Sequence, residues 1–352
     1  MKKDRIVGIE LLRFLSSLSI LVWHFQHFSL VPFEKNLQPY YSFLNIFYEY
    51  GSVGVKVFWC ISGVVFFYVY LEKILNKEIS FTKFSIARFS RLYPLHFLTL
   101  IIILFLQIIY EHYYGSHFIY IYDLKHFFLN IFFINGWGIE DQFSFNGPSW
   151  SVSVEIMIYF IFFILFFYFK IYLSFFISII LFLLFYFISL AGGNAAYALF
   201  YFFFGGLLTI SKYFPEKITS NKKIQEYFFN ILGVFLSISI FFVLKNNFLY
   251  EKFFIHIFVV SLVYFFILIN RIFEYNREIW IFFGNLTYSS YLIHFPLQIL
   301  LMILFKIFEI DLGVQSESLF LFFILATLLL SVFIYKKYEM PLQQHIRSKY
   351  TK

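Results

Sequence analysis

Residues Gly8–Phe28 (GIELLRFLSSLSILVWHFQHF) form an apolar run long enough to cross a bilayer, at ~1.5 Å of helical rise per residue against a core of ~30 Å. Glu10, Arg13 and His24 stand inside that run. A charge near mid-membrane costs ~2.5–3.5 kcal/mol on insertion scales, so such residues face a protein-lined cavity and mark function. Arg13 and His24 are eleven positions apart. That spacing is ~1,100° of helical rotation, within ~20° of alignment, and ~16 Å of axial rise. A cation deep on one side and a titratable imidazole near the other therefore share one stripe. They outline a charged path across a membrane, and the rest of the chain is organised around it.

The remainder has the same apolar character. Of 352 residues, 61% are hydrophobic and only 13% charged, where soluble domains carry about 25% charged residues. The chain is a polytopic membrane protein. Its net charge of +7 does not indicate nucleic acid, because the basic residues are scattered between apolar spans and form no stripe. The 58 Phe and 28 Tyr, with abundant Ile and Lys, point to an AT-rich bacterial genome, and aromatic stripes read as lipid-facing bulk. A single cysteine, Cys60, excludes an internal disulfide framework. The MKKDR start resembles a signal peptide, but Glu10 and Arg13 interrupt its apolar region and no small-residue cleavage site follows, so the first span is read as retained.

Length and hydropathy predict ten spans, at 9–28, 51–71, 95–110, 150–169, 171–190, 196–211, 228–244, 253–269, 280–305 and 318–335. Lys and Arg total 20 in the N-terminus, the C-terminus and alternate connections. The opposite connections hold only 5: Lys35, Lys125, Lys245, Lys252 and Lys306. This bias predicts cytoplasmic termini and an even number of spans. The expected fold is one all-α integral domain of about ten transmembrane helices, with no appended soluble domain. Arg13 would lie toward the cytoplasm and His24 toward the outer face. The second outer loop, Glu111–Ser149, is large enough to hold a re-entrant or interfacial segment at Leu124–Asn135.

Four further segments carry chemistry. Span 2 opens GSVGVKVFWCISG; Gly51, Gly54, Ser62 and Gly63 suit either close helix packing or a smooth wall beside a threaded ligand, while Lys56 reads as a snorkelling cation. RFSRLYP precedes span 3, with Pro94 beginning the span. Arg88 and Arg91, one turn apart, suit either a phosphorylated ligand or ordinary positive-inside anchoring. Span 4 opens NGPSWSVSVEIMIYF, with Ser149 as the expected cap and Glu155 just over one turn inside. That predicts Glu155 at the depth of His24, where a carboxylate orients an imidazole for general-base work; the alternative is a structural Glu paired elsewhere. Span 9 carries NLTYSSYLIHFPLQ, where Tyr288, Tyr291 and His294 share a face and Pro296 is expected to kink the helix. His294 reads as a catalytic group or a packing residue. At the C-terminal end, Glu339 is expected in a surface ion pair with Lys336 and Lys337.

The nine histidines show no metal-ligand spacing, and neither HExxH nor CxxC occurs, so no metal is expected. A Walker loop, GxGxxG and GxSxG are equally missing from the sequence. One reading of the buried charges is a transporter or flippase of a lipid-linked saccharide, in which they line a path without chemistry. Inverted repeats would favour it, and the chain shows no internal symmetry. A sensor or scaffold explains the intramembrane Arg, His and Glu least well.

Taken in order, these segments resemble the membrane-bound acyltransferase family 3. The likeness lies in Arg13-x10-His24; in Gly54, Val55, Phe58, Ser62 and Gly63; and in Arg88, Arg91, Tyr93 and Pro94. It continues through Trp150, Ser151, Ser153 and Glu155; Tyr288, Ser289, Tyr291, His294 and Pro296; and Glu339 with Pro341. Val152 and Ile156 depart mildly from the usual residues, and Phe160 to Ile279 matches only by hydropathy. The resemblance implies ten membrane helices and transfer of an acyl group, most often acetyl, from cytosolic acetyl-CoA to a hydroxyl of an extracytoplasmic sugar. It casts Arg13, Arg88 and Arg91 as holders of CoA phosphates and His24, oriented by Glu155, as general base or acyl carrier. Trp150, Ser153, Tyr291 and His294 would contact the acceptor or support the site. No permanently bound cofactor is implied. The implied partners are acyl-CoA, a saccharide or lipid-linked saccharide, and the bilayer of a bacterial cytoplasmic membrane.

Overall fold

The computed structural model describes residues 5–29, 35–140, 142–188, 194–213, 248–310, 313 and 315–350. Helices dominate these residues: α1 Val7–Phe25, α2 Tyr41–Tyr50, α3 Val53–Leu75, α4 Phe81–Tyr114, α5 Leu124–Ile131, α6 Trp150–Tyr168 and α7 Ile171–Ile188. They continue with α8 Asn194–Tyr213, α9 Phe248–Leu268, α10 Asn270–Phe273, α11 Arg277–Ile307, α12 Glu317–Ile334 and α13 Met340–Tyr350. Extended pairing among the described residues amounts to one isolated bridge between Ile121 and Ser144. Among the described residues seven helices are long and apolar enough to cross a membrane, and Ile171–Phe185 and Phe254–Leu268 are shorter apolar helices. The span expected at 228–244 lies outside the described residues.

Without water in the bilayer core, every backbone group needs an internal partner, so apolar runs of this length become helices. Their packing rests on close approach, because lipid tails are as apolar as leucine. Among the described residues the α3–α8 contact is the most extensive between helices. A Cβ on Gly63 would meet the Phe202 carbonyl oxygen at 1.8 Å, and one on Gly205 would meet the Cys60 carbonyl oxygen at 2.1 Å. Span 2 therefore uses its glycines for packing, while Ser62 turns to the interior. One aromatic core surrounds this contact with Phe66, Phe67, Phe162 and Phe202. A second, at the other end of α1, gathers Phe25, Phe28, Phe295, Phe320 and Phe323.

The RFSRLYP segment differs from its reading as a connection. It is helical, and α4 runs unbroken from its Ser80 cap, whose hydroxyl accepts from the Lys83 N–H at 3.3 Å, to Gly115 in the left-handed region (φ 70°). Pro94 is thus an interior residue of a 34-residue helix. A proline there removes the donor to the Ser90 carbonyl. Tyrosine hydroxyls from Tyr288 and Tyr338 bond the same stretch of α4, at the carbonyls of Leu92 and Pro94. Pro296 in α11 likewise leaves the Leu292 carbonyl without its usual N–H partner, and Asn146 Nδ2 donates to it at 3.1 Å.

The long 115–149 segment folds into the protein instead of over it. Helix α5 lies within the Leu124–Asn135 segment singled out there and is capped by Asp123, which accepts from the His126 N–H at 2.8 Å. Asn146, Pro148 and Ser149 are buried. Ser149 does not cap α6; its hydroxyl oxygen accepts from Asn135 Nδ2 at 2.8 Å. A Gly147–Ser149 turn starts the helix in the cap's place.

Candidate functional site

Helices α1 and α11 pack side by side along their lengths, and they carry two clusters of polar side chains at different depths. The first surrounds a cavity of about 140 Å³. Arg13 enters from α1, Arg88 and Arg91 from α4, Ser62 from α3, Glu155 and Tyr159 from α6, and Thr287, Tyr288 and Tyr291 from α11. Arg13 donates to Glu10 Oε2 at 3.2 Å and to Thr287 Oγ1 at 3.3 Å. Glu10 is shared: Arg5 Nη1 approaches its other oxygen at 3.5 Å and donates to Asn285 Oδ1 at 2.8 Å. Arg88 donates to the Tyr70 hydroxyl at 2.6 Å, and its guanidinium lies 5.0 Å from the Phe66 ring centre. Buried guanidiniums are costly unless tethered in this way, and once tethered they present a fixed array of N–H donors.

Glu155 belongs to this cavity, which corrects the expectation that it orients His24. Its carboxylate accepts from Ser62 Oγ and from the Tyr159 hydroxyl, the latter one helical turn along α6. The error lay in taking the Asn146-Gly-Pro turn as the membrane boundary. That turn is buried: Tyr291 donates to Pro148 O at 2.9 Å, and Asn146 Nδ2 reaches Thr99 Oγ1 at 3.1 Å. Helix α6 therefore begins at the level of Tyr291, and Glu155 falls ~8 Å deeper, at the arginine end.

The second cluster is made of rings. His24 Nδ1 lies 3.2 Å from His27 Nδ1, so the two imidazoles share one proton across that contact. The His294 ring centre is 4.7 Å from that of His24, and Trp23 sits edge-on to His24 and His27 at 4.8 and 4.9 Å. His294 Nδ1 is 3.2 Å from the Ser290 carbonyl oxygen. A carbonyl only accepts, so this nitrogen carries the hydrogen and Nε2 holds a lone pair. That Nε2 is buried with no hydrogen-bond partner. A Ser17–Ser290 hydroxyl contact at 2.8 Å joins α1 to α11 between the two clusters.

Among the other residues singled out, Tyr291 bridges Pro148 and Ser151, whose hydroxyl is 2.7 Å from its own, and lines the cavity. Trp150 packs edge-on against Trp59 at 5.8 Å. Ser153 donates to the Phe133 carbonyl at 2.9 Å, pinning the 115–149 segment to α6. Lys56 lies 5.7 Å from the Tyr197 ring centre, on the α8 side of α3. Glu339 is corrected from surface to interior: it is 2% exposed and accepts from Ser289 Oγ at 2.5 Å. Sequence reasoning missed Tyr159 and Thr287 as cavity residues. Tyr159 had a signal, since it stands four residues after Glu155 and so on the same helical face. No group of three or more His, Cys, Asp or Glu among the described residues is arranged to hold a metal ion.

The chain matches no curated protein and no solved structure. Residues 6–336 match the model of a family described as an acyltransferase domain, which covers α1 through the start of the turn after α12. With an arginine-lined cavity at one end of the α1–α11 pair and a histidine cluster at the other, this chain belongs to the membrane-bound acyltransferase family 3.

Proposed function

We propose that this membrane acyltransferase moves an acyl group, acetyl in the simplest case, from acyl-CoA to a hydroxyl of a carbohydrate on the other side of a bacterial cytoplasmic membrane. The observation that carries this reading is a two-level arrangement: three guanidiniums, one from α1 and two from α4, around one cavity, and three imidazoles from the end of α1 and from α11 beyond it. Arg13, Arg88 and Arg91 meet the phosphates of CoA from the cytoplasm, since guanidinium binds phosphate oxygens bidentately. The thin thiol-bearing arm then runs along the α1 stripe toward His24, ~16 Å away.

At the far end the acceptor hydroxyl attacks the thioester carbonyl. A C–O bond forms, the C–S bond breaks, and the hydroxyl proton passes to His24 and then to the departing sulfur, which leaves as CoA thiol. In the tautomer where His24 Nδ1 donates to His27, Nε2 holds the lone pair that takes this proton. The carboxylate of Glu155 balances the arginine cavity and takes no part in that transfer.

Cells carrying wild type or His24→Ala at matched expression separate the alternatives, read by NMR or mass spectrometry of their surface polysaccharides. Ester-linked acyl groups are expected with wild type and reduced about 10²–10⁴-fold with the variant, the range for losing a general base. Equal acylation in both removes His24 from the mechanism. A change in the amount of exported glycan with unchanged acylation makes the chain a transporter.

A further inference from the structure

Glu155 is a carboxylate in a cavity that three guanidiniums fit for anions, and the transfer chemistry leaves it unused. Ser151, Glu155 and Tyr159 stand four residues apart on α6, so they share one face, and all three line the cavity. Both hydrogen bonds to the Glu155 side chain fall on Oε1, from Ser62 Oγ of α3 and from the Tyr159 hydroxyl. The Tyr159 ring is itself stacked on Phe66 at 3.9 Å, and Phe66 also carries the Arg88 guanidinium at 5.0 Å. The carboxylate is thus fixed through one oxygen. Among the described residues nothing donates a hydrogen bond to the other, Oε2.

An unbonded carboxylate oxygen weakens such a cavity for phosphate, because the like charges repel. What it can bind is an N–H or O–H donor, and the ionised phosphates of an acyl-CoA offer none. The pantetheine arm beyond them carries amide N–H groups. The α6 face leads along the course of that arm. One turn before Glu155, the Ser151 hydroxyl lies 2.7 Å from that of Tyr291, and His294 follows Tyr291 on α11 by three residues. We propose that Glu155 Oε2 accepts from an amide N–H of the arm, so that the cavity selects pantetheine-bearing thioesters over other phosphorylated nucleotides. A fixed acceptor of this kind discriminates against a ligand that brings no donor, since its charge is then left unpaired. The proposal rests on the reading of this cavity as the acyl-CoA site.

The test is equilibrium binding of two probes to the full chain in lipid nanodiscs: coenzyme A, and adenosine bisphosphate, which keeps adenine and phosphates but lacks the arm. Glu155→Gln removes the charge, and with Ser62 and Tyr159 donating to its amide oxygen it turns an NH₂ donor toward the cavity. The two affinities are expected to move apart. Adenosine bisphosphate should bind about three- to tenfold tighter, and the preference for coenzyme A over it should shrink about 10–100-fold. A parallel loss for both probes, the mark of a structural role, overturns the proposal, as does an unchanged preference. Coenzyme A analogues whose arm amides are replaced by esters make the same test on wild type if E155Q does not fold. About a tenfold or greater loss with one of them supports the contact, and full affinity with each overturns it. If wild type itself does not bind coenzyme A, the donor reading falls and this proposal with it.

Discussion

The two ends of the α1–α11 pair are built on opposite principles. At the arginine end four guanidiniums are tethered: Arg13 to Glu10 and Thr287, Arg5 to Asn285, Arg88 to Tyr70, Arg347 to Ser90 and Ala87. At the histidine end rings face rings, one Nδ1–Nδ1 contact joins His24 to His27, and the His294 Nε2 lone pair has no partner. Permanent charges in a low-dielectric interior demand compensation, because an unpaired one is expensive. A neutral imidazole nitrogen can be left unbonded for ~1–3 kcal/mol. On the proposed function the difference separates holding from reacting: one end is preorganised for a polyanion, and the other keeps lone pairs unspent.

That contrast can be broken by experiment. The largest effect is expected from Arg13→Ala, which removes a donor set and leaves Glu10 facing Arg5 alone. Coenzyme A affinity should fall about 10–100-fold, the worth of a charge-assisted hydrogen-bond pair. Unchanged affinity, measured by calorimetry on the nanodisc-bound chain, would strip this end of its anion-holding role. A smaller effect of the same sign is expected from Gly284→Ala. Its Cβ would meet Glu10 Oε2 at 2.2 Å and push the carboxylate off Arg13. About a three- to tenfold loss of coenzyme A affinity follows, with the histidine end untouched.

The smallest effect lies outside both ends. Asp123 caps α5, and hydrogen bonds from the His126 N–H and ring hold its carboxylate below its ordinary value. The cap therefore stabilises α5 at neutral pH and is lost as pH falls through that depressed value. Asp123→Ala should cost about 1 kcal/mol of local stability near neutrality. Amide hydrogen exchange across α5 reads this, and the two proteins should converge in acid. A loss spreading to α6 would show that the 115–149 segment and the site open together.

Much of the architecture was legible because membrane helices are written in composition and length. The apolar runs, the charged stripe on α1, the paired arginines and the Tyr288–Tyr291–His294 face all follow from helical periodicity acting on named residues. Legibility failed where depth depended on a neighbour. The Asn146-Gly-Pro turn has the composition of a surface loop, and nothing local says that Thr99 and Leu292 will bury it. Glu155 was misplaced for that reason alone. Glu339 was misplaced because a π-turn shifts the register by which charged residues are sorted into inner and outer faces. The connection before span 3 read as a break because Pro94 stops isolated helices, whereas here α4 continues through it packed against α11 and α13.

The chain's own residues dictate an all-helical membrane protein with Arg13 and His24 on one stripe, since spacing along a single helix needs no partner to define it. Which groups meet across helices is a different matter. That Glu155 sits among arginines, that His24 faces His27 and His294, and that Glu339 turns inward to Ser289 were decided by packing. Close contacts such as Gly284 on Glu10 and Gly63 on Phe202 set the relative heights of the helices, and height decides which side chains share a cavity.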